Sequence, residues 1–278
     1  MKPSHFVCII LALLHLQSCV RTEEFGTPWS DELVPVVFSV ITTGEAPQVY
    51  LGRTYHPKLS PDLLPYPEAI VSMLVEGGNW VQLQRKEPQS RYFEDKSGLL
   101  NPKPGELIKL KVQLADREIT AQTAIPADYA RILNAGCILA PTKPNHSIGW
   151  NGFSVLKATI TADLHLPADK GFGVFIHVKE LWFSGAREAN SERYTGVDHY
   201  VPKDSSSFTL TAQTITPELK TFMFARTLAT GFDFEFIPDL FLGGFTGVLP
   251  QYNNIHGGVG LFGARHNFDI LVTIPKQN

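Results

Sequence analysis

Hydrophobic and polar residues alternate along most of this chain with a period of two, the period of a strand with one buried face. The clearest stretch places Ile108, Leu110, Val112 and Leu114 on one side and Lys109, Lys111 and Gln113 on the other. After the turn Ala115-Asp116-Arg117, the residues Ile119, Ala121, Thr123 and Ile125 supply a return strand. An antiparallel hairpin with one wet face is expected there. Residues 34–42, 48–55, 69–75 and 80–84 read as further strands, the last two joined by the hairpin signal Glu76-Gly77-Gly78-Asn79. Pro57, Pro61, Pro65 and Pro67 make 56–67 a loop, because proline cannot donate to a strand ladder. Short strands broken by turns at this spacing fit a β-sandwich, and Pro126 ends the unit.

A second unit opens on an equally clean alternation: Ala158, Ile160, Ala162, Leu164 and Leu166 against Lys157, Thr159, Thr161, Asp163 and His165. Between the units, 127–152 is rich in Pro, Gly and Asn and reads as a connector after a short helix over 128–133. The turn Pro167-Ala168-Asp169-Lys170-Gly171 leads to an expected strand over 172–183. Residues 184–207 read as polar loop, and 208–214 as another strand. One segment changes period. Thr216-Pro217-Glu218 offers an N-cap, a proline at the first helical position and a carboxylate suited to the helix dipole. Leu219, Phe222, Met223, Arg226 and Thr227 follow at helical spacing, until Gly231 provides a stop. The chain then returns to β structure over 257–264 and 268–274. The expected fold is mainly β. An antiparallel, immunoglobulin-like β-sandwich spans 33–126, and a second β-rich domain with one short helix near 217–230 spans 127–278.

The N-terminus lies outside this pattern. Lys2 precedes an apolar run over 6–16, shorter than the roughly 20 residues of a permanent membrane span. That run has the form of the core of a cleavable signal peptide. Leu16-Gln17-Ser18-Cys19 follows directly and resembles the lipobox of bacterial lipoproteins, in which the cysteine receives lipid and becomes the new N-terminus. Gln17 departs from the commonest form. The expectation is a signal peptide over 1–18, then a tether over 19–32 anchored through acyl chains such as palmitate on Cys19. Multiple acylation gives stable anchoring where a single chain is marginal. Glu23 and Glu24 resemble the acidic surface-export signal of Bacteroidota lipoproteins.

Composition narrows the chemistry. A formal net charge of −3 with no Lys/Arg cluster argues against nucleic acid and against an anionic-membrane patch. Of the 3 cysteines, Cys8 leaves with the signal and Cys19 takes lipid, which leaves Cys137 alone. One thiol builds neither a disulfide framework nor a multi-cysteine metal site, and its usual role is that of a small buried hydrophobe. No Gly-x-Ser-x-Gly elbow, His-Glu-x-x-His pair or Walker loop occurs. Gly257, Gly258, Gly260 and Gly263 precede a strand, so close backbone approach explains them better than phosphate binding. His165 reads as a solvated residue of a polar strand face. A metal site from His177, His199 and Asp198 is the sharper alternative among scattered histidines; neither metal nor cofactor is expected. The aromatic run containing Phe232, Phe234, Phe236, Phe241 and Phe245 is harder to bury entirely and is the candidate partner-binding surface.

These pieces line up with a family. The lipobox, the first unit with Gly105-Glu-Leu-Ile-Lys-Leu-Lys-Val and Ile119-Thr-Ala-Gln-Thr-Ala-Ile-Pro126, the Thr-Pro-Glu helix start and the terminal Asn254-Ile-His-Gly-Gly-Val-Gly-Leu-Phe-Gly-Ala264 resemble Bacteroidota lipoproteins catalogued as domain of unknown function 4249. Glu106-Leu107 stands where that family usually has an aromatic. The resemblance implies an outer-membrane lipoprotein, often encoded beside a TonB-dependent receptor, and it brings no catalytic residues; only Cys19 carries over. The expected function is a non-enzymatic accessory subunit of a TonB-dependent transporter or other outer-membrane complex, with a barrel protein as partner. The alternative is an independent cell-surface carbohydrate- or peptide-binding lipoprotein, for which Trp150, Trp182 and Tyr194 are the candidate contact residues. A hydrolase has no motif in its favour.

Overall fold

The computed structural model describes residues 34–54, 66–140, 155–179, 187–202, 205–230 and 253–275. The protein is mainly β. In chain order its strands are β1 (Pro35–Thr42), β2 (Gln48–Arg53), β3 (Ile70–Val75), β4 (Val81–Gln82), β5 (Gln84–Arg85), β6 (Tyr92–Glu94), β7 (Leu107–Gln113) and β8 (Glu118–Ala124). The series continues with β9 (Arg131–Leu139), β10 (Val155–His165), β11 (Gly173–Val178), β12 (Arg187–Glu188), β13 (Arg193–Pro202), β14 (Ser207–Ile215) and β15 (Val259–Thr273). Among the described residues there is one helix, α1 (Pro217–Thr230), which follows β14. Among the described residues no helix is long and apolar enough to cross a membrane.

Three sheets form: an eight-stranded one ordered β12-β11-β14-β15-β1-β2-β6-β5, a four-stranded β4-β3-β7-β8 and a three-stranded β13-β10-β9. The 15-residue strand β15 organises them. Its first half pairs parallel with β1, from Val36↔Val259 to Thr42↔Arg265, and its second half pairs antiparallel with β14, from Ile215↔Arg265 to Ser207↔Thr273. The β1–β15 pair is a parallel exception in otherwise antiparallel ladders.

Because side chains alternate along a strand, β15 shows both cores to one face of the large sheet. Phe262 and Ala264 join Val37, Ile41, Val49, Leu51 and Phe93 against Val71, Met73, Ile108, Leu110, Val112 and Ile119 of the four-stranded sheet. Further along the same face, Phe268, Ile270 and Val272 join Val174, Ile176, Phe208, Leu210 and Ala212 against Ile132, Cys137, Ala158, Ile160 and Tyr194 of the three-stranded sheet. The clustered buried residues before Pro126 lie in one core and those from Ala130 to Leu210 in the other, while residues 255–264 return to the first.

Helix α1 takes the opposite face. Leu219, Phe222 and Met223 cover Phe38, Val40, Phe175, Ile215 and Leu261, with the Phe38 and Phe222 rings 5.8 Å apart. Burial of each large apolar side chain contributes about 1.5–3 kcal/mol, enough to hold so short a helix on the sheet. Gly263 makes the close approach possible, since a Cβ there would stand 3.1 Å from that of Leu219. Thr216 begins the helix as expected: its carbonyl accepts from the Lys220 N–H at 2.9 Å. Its hydroxyl accepts from the Ala264 N–H at 3.3 Å, so the side chain ties the helix start to β15.

Three segments differ from the sequence expectation. Residues 131–139, the end of the expected helix and part of the connector, form β9, whose pairing with β10 buries Ile132 and Cys137. The polar stretch 184–207 contains β12 and β13, the latter burying Tyr194 against β10. The expected strands over 257–264 and 268–274 are one strand, continuous through the polar residues 265–267 because each half has a partner on its flank. The turn after β10 carries the chain from the three-stranded sheet to β11 of the eight-stranded one.

Candidate functional site

The glycine-rich motif proves to be a backbone clamp. The Asn254 side chain behaves like a strand partner, accepting from the Phe262 N–H at 2.9 Å and donating to the Phe262 carbonyl at 2.7 Å. Asn253 accepts from the N–H groups of Ile255 and Gly260, both at 3.1 Å, and donates to the Gly258 carbonyl. His256 bridges to Thr120 of β8 through two backbone hydrogen bonds. A Cβ on Gly257 would lie 2.6 Å from the Glu118 carbonyl oxygen, and one on Gly260 would overlap the Val37 carbonyl. The motif locks β15 to β1 and β8, in line with the reading of close backbone approach.

The histidine arrangement weighed as a metal site does not form. Val174, Ile176 and Val178 fill the second core, so His177 points from the other face of β11. His199 is 2% exposed and faces inward on β13, beside Ala158. The two imidazoles are directed to different sides of the large sheet, and among the described residues no three His, Cys, Asp or Glu side chains gather to hold a metal ion. The Asp198 side chain lies outside the described part. His165, by contrast, sits half-exposed 3.4 Å from Asp128.

Tyr194 is not a surface platform. It is 7% exposed, its hydroxyl has no hydrogen-bond partner among the described residues, and burial pushes its pKa up, partly offset by Arg187. Its hydroxyl and His199 Nε2 converge on the α-carbon of Gly196, where a Cβ would collide with both. Cys137 is buried, which pushes its thiol pKa up and suits a packing role. Cys19, Trp150, Trp182, Phe232, Phe234, Phe236, Phe241 and Phe245 lie outside the described residues.

Where β15 passes from one core to the other, polar side chains gather. His266 Nδ1 lies 3.0 Å from the Thr43 hydroxyl, and its ring rests on Tyr129 with centroids 3.9 Å apart. Arg131 lies on the same Tyr129 ring, and Arg265 Nε donates to the Thr42 hydroxyl at 2.8 Å. Burial holds the His266 pKa below its ordinary 6.5. This joint stands where the two cores meet along β15.

Two surfaces remain as binding candidates. The first is a shallow polar cleft of about 150 Å³ beside the bulge of β9, lined by Asn134, Gly136, Thr161, Asp163 and Arg193. It is smaller than the few hundred Å³ usual for a small-molecule pocket. The second is the outer face of the four-stranded sheet. Trp80, at the start of β4, is 45% exposed, with the Lys111 ammonium 4.9 Å from its ring centroid. The register puts Ile70, Ser72 and Leu74 of β3, Lys109, Lys111 and Gln113 of β7, Glu118, Thr120 and Gln122 of β8, and Gln82 of β4 on this face. Sequence reasoning placed Trp80 on a strand without assigning its face. The available signal was its position two residues before Gln82, which shares the outward parity of Lys109 and Lys111 across the ladder. No protein-family model matches the chain, and no curated protein matches it either.

Proposed function

We propose that this protein is exported, lipidated at Cys19 and held at the outer membrane, where it serves as a non-enzymatic accessory subunit of a TonB-dependent transporter or another outer-membrane complex. The observation that carries this reading is the apolar run over 6–16 ending in Leu16-Gln17-Ser18-Cys19. The resemblance of the first unit, helix start and Asn254–Ala264 motif to the Bacteroidota lipoproteins supports the compartment and the partner class. A lipid anchor confines a protein to the membrane plane and raises its effective concentration near a barrel partner, so a modest interface suffices for association. A Phe-rich segment containing Phe232, Phe234, Phe236, Phe241 and Phe245 supplies the apolar contact in this reading.

The test has two arms. Labelling with a clickable palmitate analogue should mark the wild-type chain and leave Cys19→Ala unmarked. A mild-detergent pulldown of the tagged protein at native level should recover a stoichiometric β-barrel. Equal labelling of Cys19→Ala defeats the anchor; recovery of the labelled protein alone defeats the subunit role. The second reading, an independent surface-binding lipoprotein, is favoured by the exposed Trp80 on the outer face of the four-stranded sheet.

A further inference from the structure

The outer face of the four-stranded sheet combines three chemistries on a flat surface. Trp80 offers an indole ring nearly half open to solvent, with the Lys111 ammonium 4.9 Å from its centroid. Gln82, Gln113 and Gln122 are exposed amides, each able to donate and accept. Lys109 and Lys111 are two residues apart on one strand, hence about 7 Å apart on the same face. Across β4, β3, β7 and β8 the surface is about 14 Å wide, at about 4.8 Å per strand spacing.

We propose that this face binds an acidic polysaccharide, a chain of pyranose rings bearing carboxylates. The inference deepens the surface-binding reading above and stands without the transporter partner. The face of a pyranose presents C–H bonds of slight positive charge, which complement the negative quadrupole of an indole face. Amides that both donate and accept suit neighbouring hydroxyl groups on one ring. Carboxylates on successive rings suit a pair of ammonium groups on one strand. Glu118 stands at the far end of β8 from Gln122 and is the one acidic side chain among the outward residues of these strands, so the face is net positive on a chain of net charge −3. A protein partner fits less well, because lysine is depleted at the centre of protein interfaces and this face places two there. A surface of amides and ammonium groups around one aromatic, with Ile70 and Leu74 of β3 beside them, matches a ligand that is itself polar and repeating but carries apolar C–H faces.

The full chain, purified in mild detergent, is applied to polygalacturonate-coupled and dextran-coupled beads at low and high salt. The expected result is retention on polygalacturonate, released by salt, and no retention on neutral dextran. Trp80→Ala should weaken binding to free polygalacturonate about tenfold in calorimetry, the scale of one aromatic stack. Lys109→Gln/Lys111→Gln should weaken it as much and flatten its salt dependence. Circular dichroism checks that each variant is folded, and the lysine pair keeps the test decisive if Trp80→Ala is not. Absence of retention, equal retention on dextran, or unchanged binding by the folded lysine variant overturns the proposal. Labelling at Cys19 and recovery of a barrel do not depend on this face, so failure here leaves those outcomes readable.

Discussion

Gly260 is where the joining of the two cores is most exposed to a single atom. Its φ is +134°, and a Cβ there would overlap the Val37 carbonyl oxygen of the parallel partner strand. Alanine at such a dihedral carries about 1–3 kcal/mol of backbone strain. Relief of the overlap requires β1 and β15 to separate near Val37↔Gly260, and loss of about two ladder hydrogen bonds adds about 2 kcal/mol. The expected cost of Gly260→Ala is therefore about 3–5 kcal/mol, a large share of the 5–15 kcal/mol that usually holds a domain. Gly44→Ala isolates the backbone contribution. Gly44 has φ +79° but nothing within 4 Å of an added Cβ, so about 1–2 kcal/mol is expected. Urea unfolding followed by circular dichroism and tryptophan fluorescence separates the two. Gly260→Ala should lower the midpoint much more, and a reduced m-value would mark a first core that opens apart from the second. Equal destabilisation by the two substitutions would refute the close β1–β15 pairing and with it the shared strand.

Three further outcomes follow from buried polar groups. For His266 the folded pKa is depressed by burial, so the neutral form is favoured in the fold, and its contribution is full above 6.5 and lost as pH falls through that value. Arg131 shares the Tyr129 ring with His266, and the neighbouring Arg265 bonds Thr42; burial is the cause of the depressed value. His266→Gln should flatten the stability profile between about pH 7 and 5, measured by urea midpoints; an unchanged slope rejects the joint as the cause. Asp95 acts lower: burial pushes its carboxyl up, but hydrogen bonds from Ser97 and from the Leu100, Ser97 and Gly98 N–H groups outweigh that and hold it below 3.8. Its contribution is present above 3.8 and lost as pH falls below it, so Asp95→Asn should remove that acid limb. Tyr194→Phe removes a buried hydroxyl without a partner, and thermal unfolding should show unchanged or raised stability; a loss above about 1 kcal/mol would mean the hydroxyl is bonded.

The amino-acid pattern determined every element whose signal is local. Strands β7, β8 and β10 bury the residues their alternation selected, because inward and outward faces of one strand are set by a period of two. The start of α1 was equally legible, since Thr216, Pro217 and Glu218 signal a first turn by local chemistry; the bond from Ala264 to the Thr216 hydroxyl was not. The proposal of a leader over 1–18 and a lipid on Cys19 rests on sequence alone, and those residues lie outside the described ones. Tertiary structure decided the rest. β9 and β13 carry weak local patterns and become strands because they flank β10, whose inward face supplies their burial. The polar residues 265–267 remain extended because β1 ends where β14 takes over, a relation between segments far apart in the chain. Tyr194 was chosen for the surface and belongs to the core, whereas Trp80 was given no face and proved half-open. An aromatic residue has the same local preference for a strand on either face; which face meets a second sheet and which meets water depends on packing that no short stretch of sequence contains.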